Sequence, residues 1–167
     1  YSTKFCLELI QVLKKRGVNP FTIIDVGCGT GILSIAMAKL FRSRIIAVDN
    51  DIHSVQMTKR NIVVNKVVQC VKVYNSSGLI GNHLNSRAKY DLIVANILFK
   101  PIKILMRSSI TNLSKGGFLI LSGLNIKQAR QLKEISKQFG LKVIDERKEA
   151  NWGSLLLKKT VVKEQSN

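Results

Sequence analysis

The 167-residue chain is 46% hydrophobic and 22% charged, which is ordinary for one globular domain with a buried core. Its apolar runs are too short for a membrane span or a signal peptide, and its three scattered cysteines argue against disulfides and zinc and for a reducing cytoplasm. Its 27 Lys and Arg against 10 Asp and Glu give a net charge of +17, which attracts nucleic acid or other anionic surfaces.

The predicted elements begin with a helix over residues 3–16, whose apolar side chains share one face and which Gly17 ends. Two strands follow at residues 21–26 and 44–49, separated by a glycine loop and a helix over residues 32–41. Both strands are apolar on both faces, which is typical of the centre of a parallel sheet.

The rest of the chain keeps this alternation of helices and strands. A helix over residues 54–64 and a strand over 67–74 come first, and a mostly irregular segment over 75–89 follows them. The next elements are a strand over 90–96 and a helix with Pro101 in its first turn. After a turn at 115–117 come a strand over 118–122 and a helix closed by Gly140. Two strands over 141–147 and 152–158 complete it as an antiparallel hairpin.

This order of elements predicts a parallel sheet covered on both faces, and right-handed crossovers make it a doubly wound α/β fold. In such a fold, ligands bind at the carboxyl ends of the strands, near the point where the winding reverses. Asp25, Asp49 and Asn96 stand at that end of three predicted strands. We therefore expect the three side chains to lie along one rim of the sheet.

The loop over residues 27–31 carries three glycines at alternate positions, which lets the backbone turn sharply and approach a ligand closely. The helix that follows presents its unpaired amides at the same place. A Walker-type phosphate loop is excluded because Lys is absent, and a dinucleotide loop needs its third glycine at Ile32. The G-x-G-x-G spacing after Asp25 is instead that of doubly wound S-adenosylmethionine-dependent methyltransferases.

Asp49 lies 20 positions after Gly29, the distance expected for a carboxylate that accepts both hydroxyls of a ribose. An alternative interpretation makes Asp49 a helix-terminal acid, although Asp51 fits that capping role better. Asp25 is expected to be mainly structural, accepting hydrogen bonds from loop amides and contacting the amino group of the cofactor.

Asn96 ends a strand at the position where amino-methyltransferases keep Asn or Asp. A neutral amide there accepts a hydrogen bond from a substrate amine and orients its lone pair toward the methyl group. No aromatic residue follows Asn96 directly, which counts against a flipped base as the substrate. The alternative is that Asn96 caps the following helix.

The chain also contains four segments that, with Trp152, resemble one family: D-V-G-C-G-T-G-I-L-S-I-A, A-V-D, D-L-I-V-A-N-I-L and G-G-F-L-I-L-S-G-L. They are similar to the catalytic domain of the methyltransferases that modify large-subunit ribosomal protein eleven, over nearly the whole chain. The resemblance implies a class I fold with a seven-stranded sheet, and S-adenosylmethionine-dependent methylation of lysine side chains or an N-terminal α-amine.

The resemblance also implies the domain organisation and the site. Residues 1–167 are expected to be a single catalytic domain, without the family's N-terminal substrate-recognition domain, whether the sequence is an excerpt or complete. Thr3 matches a cofactor-contacting threonine of the family. The residues expected to contact S-adenosylmethionine are Thr3, Asp25, Gly27, Cys28, Gly29, Gly31, Asp49, Asn50 and Asn96, of which Asn96 is also catalytic. No metal site is expected, since His53 and His83 are isolated.

The expected partners are a ribosomal protein and, through the basic surface, RNA, without a membrane. Two alternative functions stay open beside protein amine methylation. The first is an RNA-directed methyltransferase, although aromatic residues make up only 6% of the chain and are not interleaved with the basic ones. The second is a non-catalytic remnant that only binds S-adenosylmethionine.

Overall fold

The computed structural model describes residues 1–79 and 88–160. These residues form five helices and seven strands, which are α1 (Ser2–Lys15), β1 (Thr22–Val26), α2 (Ile32–Phe41), β2 (Arg44–Asp49), α3 (Ile52–Val64), β3 (Val71–Asn75), β4 (Tyr90–Asn96), α4 (Phe99–Asn112), β5 (Leu113–Asn125), α5 (Ile126–Gln138), β6 (Leu141–Glu149) and β7 (Trp152–Lys159). None of these helices is long and apolar enough to cross a membrane.

The strands form one sheet in the order β3-β2-β1-β4-β5-β7-β6. Neighbouring strands from β3 to β5 are parallel, whereas β7 runs antiparallel to both β5 and β6. Helices α1, α2 and α3 pack in one hydrophobic cluster, and α4 and α5 pack in the other. The predicted doubly wound sheet with a terminal hairpin is therefore confirmed.

The winding reverses between β1 and β4, which are neighbours in the sheet although β2 and β3 separate them in the chain. Ligands of doubly wound sheets bind at this reversal, outside the carboxyl ends of the strands. The buried side chains of both strands make this part of the sheet the centre of the core. The fold thus fixes where the candidate site lies.

Most predicted strand ends lie within three residues of the observed ones, but the predicted starts of β3 and β5 are wrong by more. β3 begins at Val71 rather than at residue 67, because residues 67–70 form a turn in which the Cys70 amide donates to the Val67 carbonyl. β5 includes the predicted turn at residues 115–117, which it accommodates as a bulge opposite the start of β4.

The segment predicted to be irregular, residues 75–89, lies partly outside the described residues. Positions 80–87, including His83, belong to the part of the chain that the structure does not describe. In the described part, residues 76–79 pass along the carboxyl edge of the sheet after β3.

Candidate functional site

The glycine loop between β1 and α2 has a backbone that side chains would disturb. Gly27 and Gly31 have φ angles of +72° and +81°, which residues with a Cβ rarely adopt. A Cβ on Gly27 would collide with the Ile97 side chain, and one on Gly31 would lie 2.8 Å from Cγ2 of Thr58. The loop is therefore packed so closely against Ile97 and Thr58 that neither glycine leaves room for a Cβ.

Hydrogen bonds from β2 and α3 hold this loop in place. The amides of Gly27 and Cys28 both donate to the Val48 carbonyl, at 2.8 Å and 3.0 Å. The Thr58 hydroxyl donates to the Gly29 carbonyl at 2.8 Å. Thr58 was not predicted as a site residue, since nothing in the sequence shows that α3 returns to the loop.

The Asp49 carboxylate joins the loop to the end of β2. Its Oδ2 accepts a hydrogen bond from the Gly29 amide at 2.9 Å, and its Oδ1 accepts one from the Asp51 amide at 3.0 Å. Each carboxylate oxygen can accept a second hydrogen bond. Asp51 in turn caps α3, accepting from the His53 and Ser54 amides as predicted. Asp49 is therefore oriented, half-buried and able to accept two more donors.

Two of the predicted residues point away from the ligand side of the loop. Asp25 is fully buried, and its Oδ2 accepts a hydrogen bond from Oγ of Ser34 in α2 at 2.6 Å rather than from loop amides. Burial raises the pKa of Asp25 to about 6, and its Oδ1 has no hydrogen-bond partner among the described residues. The Cys28 thiol is also buried, which raises its pKa to about 12. Only the backbone of Cys28 belongs to the loop surface.

Asn96 and Thr3 meet at the end of β4, although 93 positions separate them in the chain. The Asn96 amide Nδ2 donates to the Thr3 hydroxyl at 3.3 Å. This orientation directs the amide oxygen elsewhere, free to accept a hydrogen bond from a ligand. The following helix is capped at Leu98 without a side-chain bond, so the alternative role of Asn96 as the helix cap is wrong.

Ser122 holds the first turn of α1 beside this pair. Ser122 lies opposite Asn96 in the β4–β5 register, and its hydroxyl donates to the Ser2 carbonyl at 2.9 Å. The hydroxyl of Ser154, in β7, lies 2.5 Å from the same Ser122 oxygen. Both serines are fully buried. Sequence reasoning missed them because the bonds join three distant parts of the chain.

A cleft of about 560 Å³ opens in front of the loop at the carboxyl edge of the sheet. It is lined by four of the predicted residues, which are Gly27, Asp49, Asn50 and Asn96. Residues 76–79, the link between β4 and α4, and one side of α4 form the rest of its walls, together with Val26; the lining residues from the link and α4 are Ile97, Leu98, Pro101, Ile104, Leu105 and Ser108. Gly29 and Gly31 belong to the loop but do not line the cleft. Thr3 does not line it either, and is connected to it by the hydrogen bond from Asn96. The described residues include no group of His, Cys, Asp and Glu that could hold a metal ion.

The sheet order, the antiparallel β7 and the glycine loop define the class I methyltransferase fold, which the solved structures confirm. The ribosomal protein L11 methylase of Lactobacillus delbrueckii subsp. bulgaricus superposes with a TM-score of 0.82 at 26% identity, over 93% of this chain and 77% of that one. A precorrin-6y C5,15-methyltransferase of Geobacter metallireducens shares the fold alone, with a TM-score of 0.72 at 14% identity, over 92% of this chain and 88% of that one.

The family is narrower than the fold class. A family model described as ribosomal protein L11 methyltransferase (PrmA) matches residues 1–160, and the chain belongs to that family. The resemblance predicted from the sequence is therefore confirmed.

Curated relatives agree with this assignment. The ribosomal protein L11 methyltransferase of Geotalea uraniireducens is 31% identical over 163 residues, covering 92% of this chain and 50% of the relative. That of Campylobacter concisus is 36% identical over 157 residues, covering 94% of this chain and 52% of the relative. The chain spans about half the length of the curated relatives it matches.

Proposed function

We propose that this chain binds S-adenosylmethionine in the cleft and transfers its methyl group to amines of a ribosomal protein. The observation that carries the proposal is the position of Asn96, fixed by Thr3 at the edge of the same cleft that Asp49 and the glycine loop line. The relatives named above are methyltransferases of ribosomal protein L11, which supports a ribosomal protein as the substrate.

The residues of the cleft fit this cofactor. Gly27, which lines the cleft, has no Cβ, so a nucleoside and its amino-acid tail can lie directly against the backbone at this position. Asp49 keeps one acceptor site on each oxygen, matching the two adjacent hydroxyls of a ribose. Leu98 and Ile104, which are exposed in the cleft lining, offer apolar surface to a purine ring. When bound, S-adenosylmethionine supplies an electrophilic methyl group on its sulfonium.

Asn96 would act by orientation. With Nδ2 engaged by Thr3, its amide oxygen accepts one N–H of the incoming amine and points the nitrogen lone pair toward the cleft. Such positioning supplies several kcal/mol, up to about 7–11 kcal/mol in the best-oriented cases. The described cleft lining holds no His, Lys, Tyr or Cys that would serve as a general base, and its one carboxylate, Asp49, is taken up by the ribose in this proposal. The amine therefore loses its proton to solvent before it binds.

The substrate amines in this proposal are lysine side chains and an N-terminal α-amine. Both are nucleophilic only when neutral, and the reference pKa of lysine is about 10.4. We further propose that residues 1–167 act as the catalytic domain and that a separate N-terminal domain of the full-length protein recognises the ribosomal protein. Activity in the cytoplasm, where ribosomal proteins are made, follows from this substrate.

The proposal is tested with labelled S-adenosylmethionine and a ribosomal protein fraction, using the full-length protein. Mass spectrometry of the product is expected to place the methyl groups on amines of one large-subunit protein. The variant Asn96→Ala is expected to lose activity, while Asn19→Ala, in the exposed turn before β1 and outside the cleft lining, keeps it. Methyl groups found only in RNA would reject amine methylation. Cofactor binding without any transfer would favour a non-catalytic remnant.

A further inference from the structure

Helix α4, beside the cleft, carries a row of cations and no acidic residue. Lys100, Lys103 and Arg107 are all exposed, and no Asp or Glu occurs between Phe99 and Asn112. Their spacing of three and four positions places them along one side of the helix. Among the salt bridges of the described residues, none involves these three side chains.

The row continues beyond the C-terminal end of α4. Lys89 donates to the Thr111 carbonyl, and Lys159 donates to the Leu113 carbonyl at 3.1 Å, so both ammonium groups lie at the helix end. Burial and the charges of Lys89 and Lys115 lower the pKa of Lys159, which places Lys115 in the same group. We call these six residues the basic stripe: Lys89, Lys100, Lys103, Arg107, Lys115 and Lys159.

Among the residues that the structure describes, no acidic side chain forms a salt bridge with the basic stripe. Asp91, at the start of β4, is already bound by the Phe21 and Thr22 amides and by the Ser114 hydroxyl. The acids that form salt bridges in the described residues belong to α1, α5 and β6. Within residues 1–79 and 88–160, the basic stripe is therefore a positive surface with no acidic partner, whose Lys100, Lys103 and Arg107 are exposed.

The basic stripe begins at the mouth of the cleft. Lys100 lies between Leu98 and Pro101, which both line the cleft. From Lys100 to Thr111, the stripe follows α4 for about 17 Å, at 1.5 Å per residue. Neighbouring phosphates of a nucleic acid strand lie several ångströms apart, so this length spans several of them.

We propose that the basic stripe binds the phosphate backbone of RNA and holds the cleft beside a protein carried on that RNA. The choice of RNA rests on the proposed function, in which the substrate is a ribosomal protein. A protein that binds RNA is itself basic, and the +17 chain would repel it over a distance. An RNA that contacts both proteins removes this repulsion. The one aromatic side chain of α4, Phe99, already packs against the Lys103 ammonium, which lies 4.9 Å from its ring centroid, so the contacts of the basic stripe go to phosphates and carry no sequence preference.

The test measures binding of a fluorescent oligouridylate by anisotropy, over about 50 to 200 mM salt. The stripe variant Lys100→Gln/Lys103→Gln/Arg107→Gln is compared with Lys15→Gln/Lys59→Gln/Arg60→Gln. The second triple removes two lysines and one arginine from the opposite helix layer, where the described residues give them no salt bridge. Both variants therefore have the same net charge.

The stripe variant is expected to reduce the slope of log affinity against log salt by about 2, because each lost phosphate contact removes about 0.7. The opposite triple is expected to change it by less than half as much. The charge-preserving variant Lys100→Arg/Lys103→Arg keeps wild-type binding, which separates the charge effect from misfolding.

An equal reduction of the salt slope in the two triple variants would overturn the assignment of RNA binding to the basic stripe, because binding would then depend on net charge alone. Competition by polyglutamate as strong as that by RNA would overturn RNA as the partner. No step of this experiment uses S-adenosylmethionine. A negative result therefore leaves the methyl-transfer proposal intact, and failed cofactor binding leaves the RNA result intact.

Discussion

The buried Asp25 carboxyl makes the stability of this protein fall as the pH rises. Burial raises its pKa from an ordinary 3.8 to about 6, so the folded state holds this proton more tightly than the unfolded state does. The stability that this proton provides is complete below pH 3.8 and is lost as the pH passes 6. Asp25→Asn removes the titration while it keeps an acceptor for Ser34.

The magnitude follows from the difference between the two pKa values. Each pKa unit corresponds to about 1.36 kcal/mol, so ionising Asp25 in the folded state costs about 3 kcal/mol. In this variant the asparagine NH₂ group takes the place of Oδ1, where no described residue can accept its hydrogen bonds. The unsatisfied donor lowers the free energy of unfolding by an amount that does not depend on pH. This cost cancels when the variant and the wild type are compared at two pH values. Because part of the ionisation cost is already present at pH 4, the variant should gain about 2.5 kcal/mol relative to wild type between about pH 4 and about pH 7.5.

The assay is urea denaturation of both proteins at several pH values, in the absence of any cofactor. Asp91→Asn is the control, because the pKa of Asp91 is shifted in the opposite direction to that of Asp25. Hydrogen bonds from Thr22, Ser114 and Phe21 lower the pKa of Asp91 despite its partial burial. Its contribution to stability is therefore present above pH 3.8 and is lost below it, so this variant should lose stability at neutral pH. A pH-independent difference between Asp25→Asn and wild type would refute the assignment.

Three further predictions concern the site. Gly31→Ala should weaken S-adenosylmethionine binding and lower the free energy of unfolding by about 1–3 kcal/mol, because the backbone of Gly31 is left-handed and Thr58 leaves no room for a Cβ. Calorimetry measures the first effect and urea denaturation the second. Ser122→Ala should speed hydrogen exchange in the first turn of α1 and weaken cofactor binding, whereas Ser109→Ala, which loses only a bond to its own helix, should change neither. The methyl-transfer rate at saturating cofactor should rise about tenfold per pH unit from about pH 7 to about pH 9, and a flat profile would indicate a general base that the described cleft lacks.

Much of the fold followed from local signals in the sequence. Apolar strands between amphipathic helices predicted the sheet, and Asp51 before a helix predicted the cap that the structure shows. The bulge in β5 could not be predicted, because Gly116 and Gly117 signal a turn without indicating whether the ladder resumes beyond it.

The site was predictable only in part, for a related reason. The contact between Gly29 and Asp49 lies within one strand–helix–strand unit, so the spacing of the two residues in the sequence was enough to predict it. The bonds from Asn96 to Thr3 and from Ser122 to Ser154 depend on how distant elements pack, and residue spacing carries no record of that packing. Asp25 illustrates the limit, since its position at a strand end did not reveal that it faces Ser34.

The central claim is that Asp49 and the glycine loop hold S-adenosylmethionine, and calorimetric titration of the cofactor tests it most directly. Wild-type protein is expected to bind at one site, and Asp49→Ala to bind at least tenfold more weakly, a loss of about 1.4 kcal/mol. Asp145→Ala, a half-buried acid of β6 far from the cleft, serves as the control and should bind as wild type does. Equal affinity in wild type and Asp49→Ala, or no binding to either, would contradict the account.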